Sequence, residues 1–246
     1  EEDVISDWLV QGENLGPQPI GFSPTVTAEI AALPEVEEVL AMQYSNEGLR
    51  TVTDQKTKRV YSTDLASVPK YFNIGITDVD ESLLGNNAVY LHEDEAEKYG
   101  VVVGSTLEVE FVDQSRKALN VAGIFTSKSV IDSGWLIDSG VYTSNAKLVP
   151  QADDFVGVLV IDGVGEQEAR EAIETVIEDY EQIEAQTKEE LAEQTQDQIN
   201  QTLTVINVLL FISVVLAVLG VAITLALSVF ERTREIGLTR AVGATR

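Results

Sequence analysis

No charged residue occurs between Asp197 and Glu231. Within that gap the run from Leu203 to Phe230 is almost wholly apolar, interrupted only by small polar residues and Asn207. About 20 helical residues cross a hydrocarbon core of roughly 30 Å, so the run is long enough with some to spare for tilt or interface. A core helix of a soluble protein seldom needs so long a charge-free stretch, and a cleavable signal sequence would lie at the other end of a chain. The run therefore predicts a transmembrane helix over 203–230.

The flanks give its orientation. Arg232, Arg234, Arg240 and Arg246 follow the run, whereas Glu181 to Asn200 hold one base, Lys188, among six acids. Short basic flanks stay in the cytoplasm, so the C-terminus is expected inside the cell membrane and residues 1 to about 200 outside. Charge divides the same way. The 246 residues carry 16 Lys and Arg against 41 Asp and Glu, net −25; residues 231–246 hold four Arg and two Glu, +2, which leaves −27 on the rest. Such acidity argues against nucleic acid as a partner, since that affinity rests on Lys and Arg at phosphates.

Residues 1–186 read as an α+β domain of mixed strands and helices. Ser23 and Pro24 have the cap and first-turn chemistry of a short helix whose Val26, Ile30 and Leu33 share a face before Pro34 stops it. A strand is expected over Val36–Tyr44, and a hairpin over Arg50–Tyr61 around the polar turn Asp54–Lys58. His92 to Tyr99 reads as a helix with Glu93, Asp94 and Glu95 in its first turn and Gly100 closing it. Leu107, Val109 and Phe111 alternate with Glu108 and Glu110, as in a strand wet on one face. Leu119–Thr126 and Phe155–Ile161 are further strands, and Ala169, Ala172, Ile173, Val176, Ile177 and Tyr180 form a helical stripe that packs on a sheet. Trp135, Leu136 and Ile137 fit an exposed contact loop or a strand returning to the core equally well. Thr187 and Glu190 have capping-box spacing, so a helix begins there. Nothing but Gly220 interrupts it before Phe230, which makes 187–202 a stalk running into the span rather than a hinge near Gln194–Gln201.

Catalytic patterns are poor. With no Cys there is no thiolate metal site, and a single His excludes HExxH zinc chemistry. Neither GxxxxGK[ST] nor GxSxG occurs, so the chain is expected to hold no ATP by a P-loop, no metal and no catalytic residue. His92 reads as a solvated helix start, and Asp78, Asp80 and Glu81 as a surface turn that lacks the glycine and terminal Glu of an EF-hand. With so many acids, no pair of carboxylates is informative about acid–base work.

Two patterns near the membrane carry more. Ser213, Ala217, Gly220, Thr224 and Ser228 follow spacings of four, three, four and four, which lines small residues along one helical face and permits close approach of another helix. After the span stands Glu231-Arg232-Thr233-Arg234-Glu235-Ile236-Gly237-Leu238-Thr239-Arg240-Ala241-Val242-Gly243-Ala244-Thr245-Arg246. It reads as a basic amphipathic segment at the cytoplasmic surface, with Gly237, Gly243 and Ala244 permitting turns and close approach.

That last segment resembles the motif after the second transmembrane helix of FtsX-like ABC transporter permeases, the group that includes MacB, LolC and LolE. The preceding domain resembles the MacB-type periplasmic core, through Leu33-Pro34-Glu35-Val36 with Val39, Glu95 to Leu107, and Val121-Ala122-Gly123-Ile124-Phe125. The resemblance implies a coupling role for Glu231, Arg232, Arg234, Glu235, Ile236, Gly237, Arg240, Ala241, Gly243 and Ala244, which would dock on an ATP-binding subunit. It implies ATP on that partner and no cofactor on this chain, a second permease subunit, like or unlike, and an outer cargo or partner that the residues do not name. It also implies further membrane helices on both sides of the chain, which then looks like a fragment of a multi-pass protein. The competing expectation is a single-span surface sensor or adhesion module with an acidic binding domain.

Overall fold

The computed structural model describes residues 3–12, 20–54, 56–85, 87–127, 131, 133–145 and 152–243. They fall into two compact units, Glu1–Glu190 and Leu191–Arg246. In chain order the first runs β1 (Trp8–Gly12), α1 (Pro24–Ala31), β2 (Val36–Thr51), β3 (Thr57–Thr63), α2 (Val68–Tyr71), β4 (Ile76–Val79), a 3₁₀ turn (Glu81–Leu83), β5 (Ala88–His92), α3 (Glu93–Tyr99), β6 (Thr106–Phe111), β7 (Arg116–Phe125), β8 (Trp135–Asp138), α4 (Ser139–Asn145), β9 (Phe155–Val160), α5 (Glu166–Ile177) and β10 (Ile183–Thr187). Helix α6 (Lys188–Ala241) follows directly.

Four strands, in the order β10-β1-β9-β2, pair antiparallel throughout. Counted within this sheet alone they run fourth, first, third, second, with α1 after the first and α5 after the third, the βαββαβ arrangement of ferredoxin-like folds. Alternation places Trp8 and Val10 of β1 and Val156 and Val158 of β9 on one face, where they bury against Val26 and Ile30 of α1 and Ala169, Ile173 and Ile177 of α5. The opposite face is covered by α2. Its Tyr71 and the following Phe72 lie so close to β9 that a Cβ on Gly157 would stand 2.8 Å from Tyr71 Cδ1, and Phe72 meets Phe155 edge-on at 6.0 Å between ring centres.

Between the second and third strands of this frame the chain inserts a barrel. A register shift between Ser45 and Leu49 bends β2 out of the first sheet. From Gln43 onward β2 pairs β3, β3 pairs β8, β8 pairs β5, β5 pairs β7, β7 pairs β6, and β6 returns to β2 at Leu49–Thr51. Every second residue points inward, Val89 and Leu91, Leu107, Val109 and Phe111, Leu119 and Val121, and Trp135 and Ile137, which fills the interior with side chains.

The elements read from local signals stand where they were expected. Ser23 accepts the Thr25 N–H to cap α1, Gly100 ends α3 in the left-handed region at φ 64°, and Asp80 caps the 3₁₀ turn through the Ser82 N–H. Four readings change. Strand β2 runs to Thr51 rather than Tyr44 because barrel pairing continues it. Trp135–Ile137 is a buried strand and no contact loop. The stripe of α5 ends at Ile177, so Tyr180 lies beyond the helix. His92 is not solvated: it is 5% exposed at the end of β5, its Nδ1 accepting the Asp94 N–H and its Nε2 standing 3.1 Å from the Thr126 carbonyl oxygen.

Candidate functional site

The candidate site follows α6. Its start is fixed by reciprocal capping: Glu190 Oε2 accepts the Thr187 N–H at 2.9 Å, and Thr187 Oγ1 accepts the Glu190 N–H at 3.2 Å. The same backbone contact, aided by a neighbouring arginine, holds the Glu190 carboxyl below its ordinary range. From there the helix is unbroken through Gln194–Gln201 to Ala241, 54 residues or about 80 Å at the usual rise. The apolar run 203–230 accounts for about half of that length.

Within the second unit the apolar side chains from Leu203 to Phe230 are exposed. It is the one helix among the described residues long and apolar enough to cross a membrane. Ser213, Ala217, Gly220, Thr224 and Ser228 lie along one side. The hydroxyls of Ser213 and Thr224 bond back to the carbonyls of Leu209 and Gly220, each at 2.8 Å, so what these two contribute to the seam is small size rather than free donors. An added Cβ on Gly220 would meet nothing within 4 Å.

Glu231, Arg232, Arg234, Glu235, Ile236, Gly237, Arg240 and Ala241 continue the same helix. Helical spacing sets Gly237, Leu238, Ala241 and Val242 on one side and Arg232, Glu235, Ile236 and Arg240 on the other. Among the described residues none of the charged members is in an ion pair, and all are exposed. Gly237 makes no turn, which corrects that one part of its expectation, because the i to i−4 ladder passes through it. The stop falls at Gly243, which takes φ 89° while Val242 N–H bonds to Leu238 O. Ala244, Thr245 and Arg246 lie outside the described residues.

Two buried charged groups in the first unit escaped the sequence reading. Lys58, its side chain 10% exposed, stands 3.1 Å from Glu95 and 3.8 Å from Asp54. Asp54 also takes Lys98 at 2.9 Å and the Tyr99 hydroxyl at 2.9 Å, and Glu95 accepts the Trp135 indole N–H at 3.0 Å. Burial works against ionisation of Asp54, but donors from Thr51, Lys98, Lys56 and Tyr99 outweigh it and hold the carboxyl well below the usual range. The second group lies just before β9 of the first sheet. Asp153 accepts Thr27 Oγ1 at 2.5 Å and Gln43 Nε2 at 3.0 Å, while Asp154 accepts the Tyr44 N–H. Burial first, then the charge of Asp153, pushes the Asp154 carboxyl up to about 6 against the pull of Tyr44. A tandem Asp-Asp directly before an apolar strand was the only signal for it. Among the described residues no cluster of three or more His, Asp or Glu could hold a metal ion.

Residues 207–246 match the family of FtsX-like permease C-terminal segments. No curated protein sequence matches the chain. Among solved structures, the periplasmic region of MacB from Actinobacillus actinomycetemcomitans has a TM-score of 0.56 at 12% identity, over 82% of this chain and 94% of that one. The extracellular domain of the noncanonic ABC-type transporter YknZ from Gram-positive bacteria has a TM-score of 0.51 at 13% identity, over 74% of this chain and 100% of that one. The chain joins a MacB-like fold to an FtsX-like segment. At these identities the structural likeness is one of fold, and the sequence likeness is carried by the FtsX-like segment, which takes in most of the apolar run and every residue of the proposed coupling set.

Proposed function

We propose that the chain is part of the permease subunit of an ABC transporter of the FtsX and MacB type, a non-catalytic subunit that carries ATP-driven motion from a cytoplasmic ATPase to the outer α+β domain. One observation carries the reading: the FtsX-like match at 207–246 begins within α6 (Lys188–Ala241), the helix whose first turn is capped onto β10 of the MacB-like fold. In this scheme 203–230 cross the cell membrane, 231–246 lie in the cytoplasm, and the outer domain acts on exported substrates, lipoproteins or a cell-wall enzyme. Glu231, Arg232, Arg234, Glu235, Ile236, Gly237, Arg240, Ala241, Gly243 and Ala244 dock on the ATP-binding subunit, where exposed charges without internal partners are free to meet it. The seam from Ser213 to Ser228 packs on another helix of the same or a second permease subunit.

The test uses the full-length protein with its ATPase in a lipid bilayer. Replacing Glu235 and Gly237, or inserting a flexible glycine stretch near Gln196, is expected to abolish stimulation of ATP hydrolysis by the permease and to stop movement of the outer domain. Unchanged coupling after both alterations refutes the scheme. Purification without any ATPase favours the single-span sensor instead.

A further inference from the structure

Beyond the strand it follows, the first turn of α6 is tied to another element by one side chain. Arg170 of α5 donates through Nη2 to Glu190 Oε1 at 2.8 Å, leaving Glu190 Oε2 to the Thr187 N–H. The guanidinium also lies over the indole of Trp8, 4.6 Å from the ring centre. Trp8 is the register partner of Thr187 across β1 and β10. Trp8, Arg170, Glu190 and Thr187 thus close a circuit linking β1, α5, β10 and the start of α6, wholly within the first unit. Glu166 at 3.5 Å and Glu174 at 3.8 Å flank Arg170 on its own helix.

The geometry separates two kinds of hold. The capping box joins Glu190 only to Thr187, the last residue of the strand from which the helix continues, so it resists fraying but reaches no element beyond β10. Only Arg170 reaches further: among the described residues it makes the sole ion pair or side-chain hydrogen bond from residues 188–190 to an element other than the adjoining strand β10. Its side chain is 22% exposed and packed on a Trp that is 2% exposed, so the planar group is held flat while it keeps the carboxylate.

We infer that Arg170 is a positioning residue for transmission: it makes a displacement of the first turn of α6 arrive in α5 and the ferredoxin-like sheet instead of being absorbed by bending at Thr187. This rests on the permease reading above.

Glu190→Gln separates the two holds, because the amide oxygen still accepts the Thr187 N–H while the charge that Arg170 grips is gone. Arg170→Met removes the ion pair and the cation–π contact together. In the full-length protein in nanodiscs, hydrogen exchange at residues 187–191 is expected to speed up about five-fold in Arg170→Met, from a partly exposed ion pair plus one stacked cation. Glu190→Gln is expected to do less. With the ATPase present, outer-domain movement per ATP hydrolysed, read by paired spin labels, should fall about three-fold or more in both variants. ATP turnover and the unfolding temperature should stay near those of the parent, and Arg170→Lys, which keeps the charge without the flat stack, should recover part of the movement. Wild-type protein that shows no ATP-driven movement sinks the permease reading itself. Wild-type movement retained in full by Arg170→Met and Glu190→Gln overturns the role of Arg170 and leaves that reading standing.

Discussion

Lys58→Met should destabilise the first unit by about 2 kcal/mol, a figure that lies between two limits. Breaking a fully buried pair by removing one partner costs about 3–5 kcal/mol, and an exposed pair is worth at most about 1 kcal/mol. Lys58 is 10% exposed and its partners Asp54 and Glu95 are 21% and 22% exposed, nearer the buried limit. Methionine preserves the stem and hence most of the packing. Asp54 keeps Lys98 at 2.9 Å, whereas Glu95 is left with the Trp135 N–H at 3.0 Å and a distant Lys98 at 3.9 Å. The penalty therefore falls on Glu95. For a domain of this size about 2 kcal/mol lowers the unfolding temperature by about 4–8 °C. Both tryptophans, Trp8 and Trp135, are buried in this unit, so intrinsic fluorescence follows its unfolding without a signal from α6. In a Glu95→Gln background the same substitution should cost less than about 1 kcal/mol, because the stranded charge no longer exists. A loss below about 0.5 kcal/mol in the parent, or an equal loss in both backgrounds, refutes the assignment of the cost to Glu95.

Asp154 supplies a pH signature. Its carboxyl is raised to about 6 by burial and by Asp153, so the folded domain binds a proton that the unfolded chain has already released. Stability contributed by that proton is complete below about pH 4 and is lost as pH rises through about 6. Chemical denaturation between pH 4 and 7 should show this decline in the parent and a flatter curve in Asp154→Asn; identical slopes would show that another group is responsible. Gly157→Ala should cost about 1–3 kcal/mol by overpacking, since its new Cβ meets Tyr71 Cδ1 at 2.8 Å, and Tyr71→Leu in the same chain should relieve part of that loss. A neutral Gly157→Ala in thermal melts would mean that α2 yields at little cost.

Legibility in the sequence followed distance along the chain. The Ser23 cap, the Thr187 and Glu190 box, the glycine that ends α3 and the alternation of Leu107, Val109 and Phe111 each involve residues within a few positions of one another, so spacing alone exposed them. Burial of His92 depends on Thr126 and Phe125, which β5 and β7 bring beside it, and no run of acids near residue 92 hints at that. The parallel pairing of β3 with β8 and the return of β6 to β2 are invisible for the same reason. Gly237 was misread because a glycine signals freedom locally, while the ladder of a long helix overrides it at a cost of only about 1 kcal/mol. The apolar span, the seam and the motif after it were all readable, being properties of one continuous helix. Arg170 was not, because its partners Trp8 and Glu190 stand at opposite ends of the domain sequence.

The ferredoxin-like frame has a consequence for how the protein is made. Trp8 pairs with Val158 and with Thr187, near the far end of the domain, so the first strand emerges long before either neighbour exists. The apolar face of β1 and α1 must wait, uncovered, while the whole barrel is synthesised. Because β10 passes straight into α6, the last pairing that closes the frame becomes available only as the start of the long helix is delivered. In the proposed scheme, completion of the fold and insertion of the helix are thereby tied to the same moment of biogenesis, and a delay in one leaves the other exposed to aggregation.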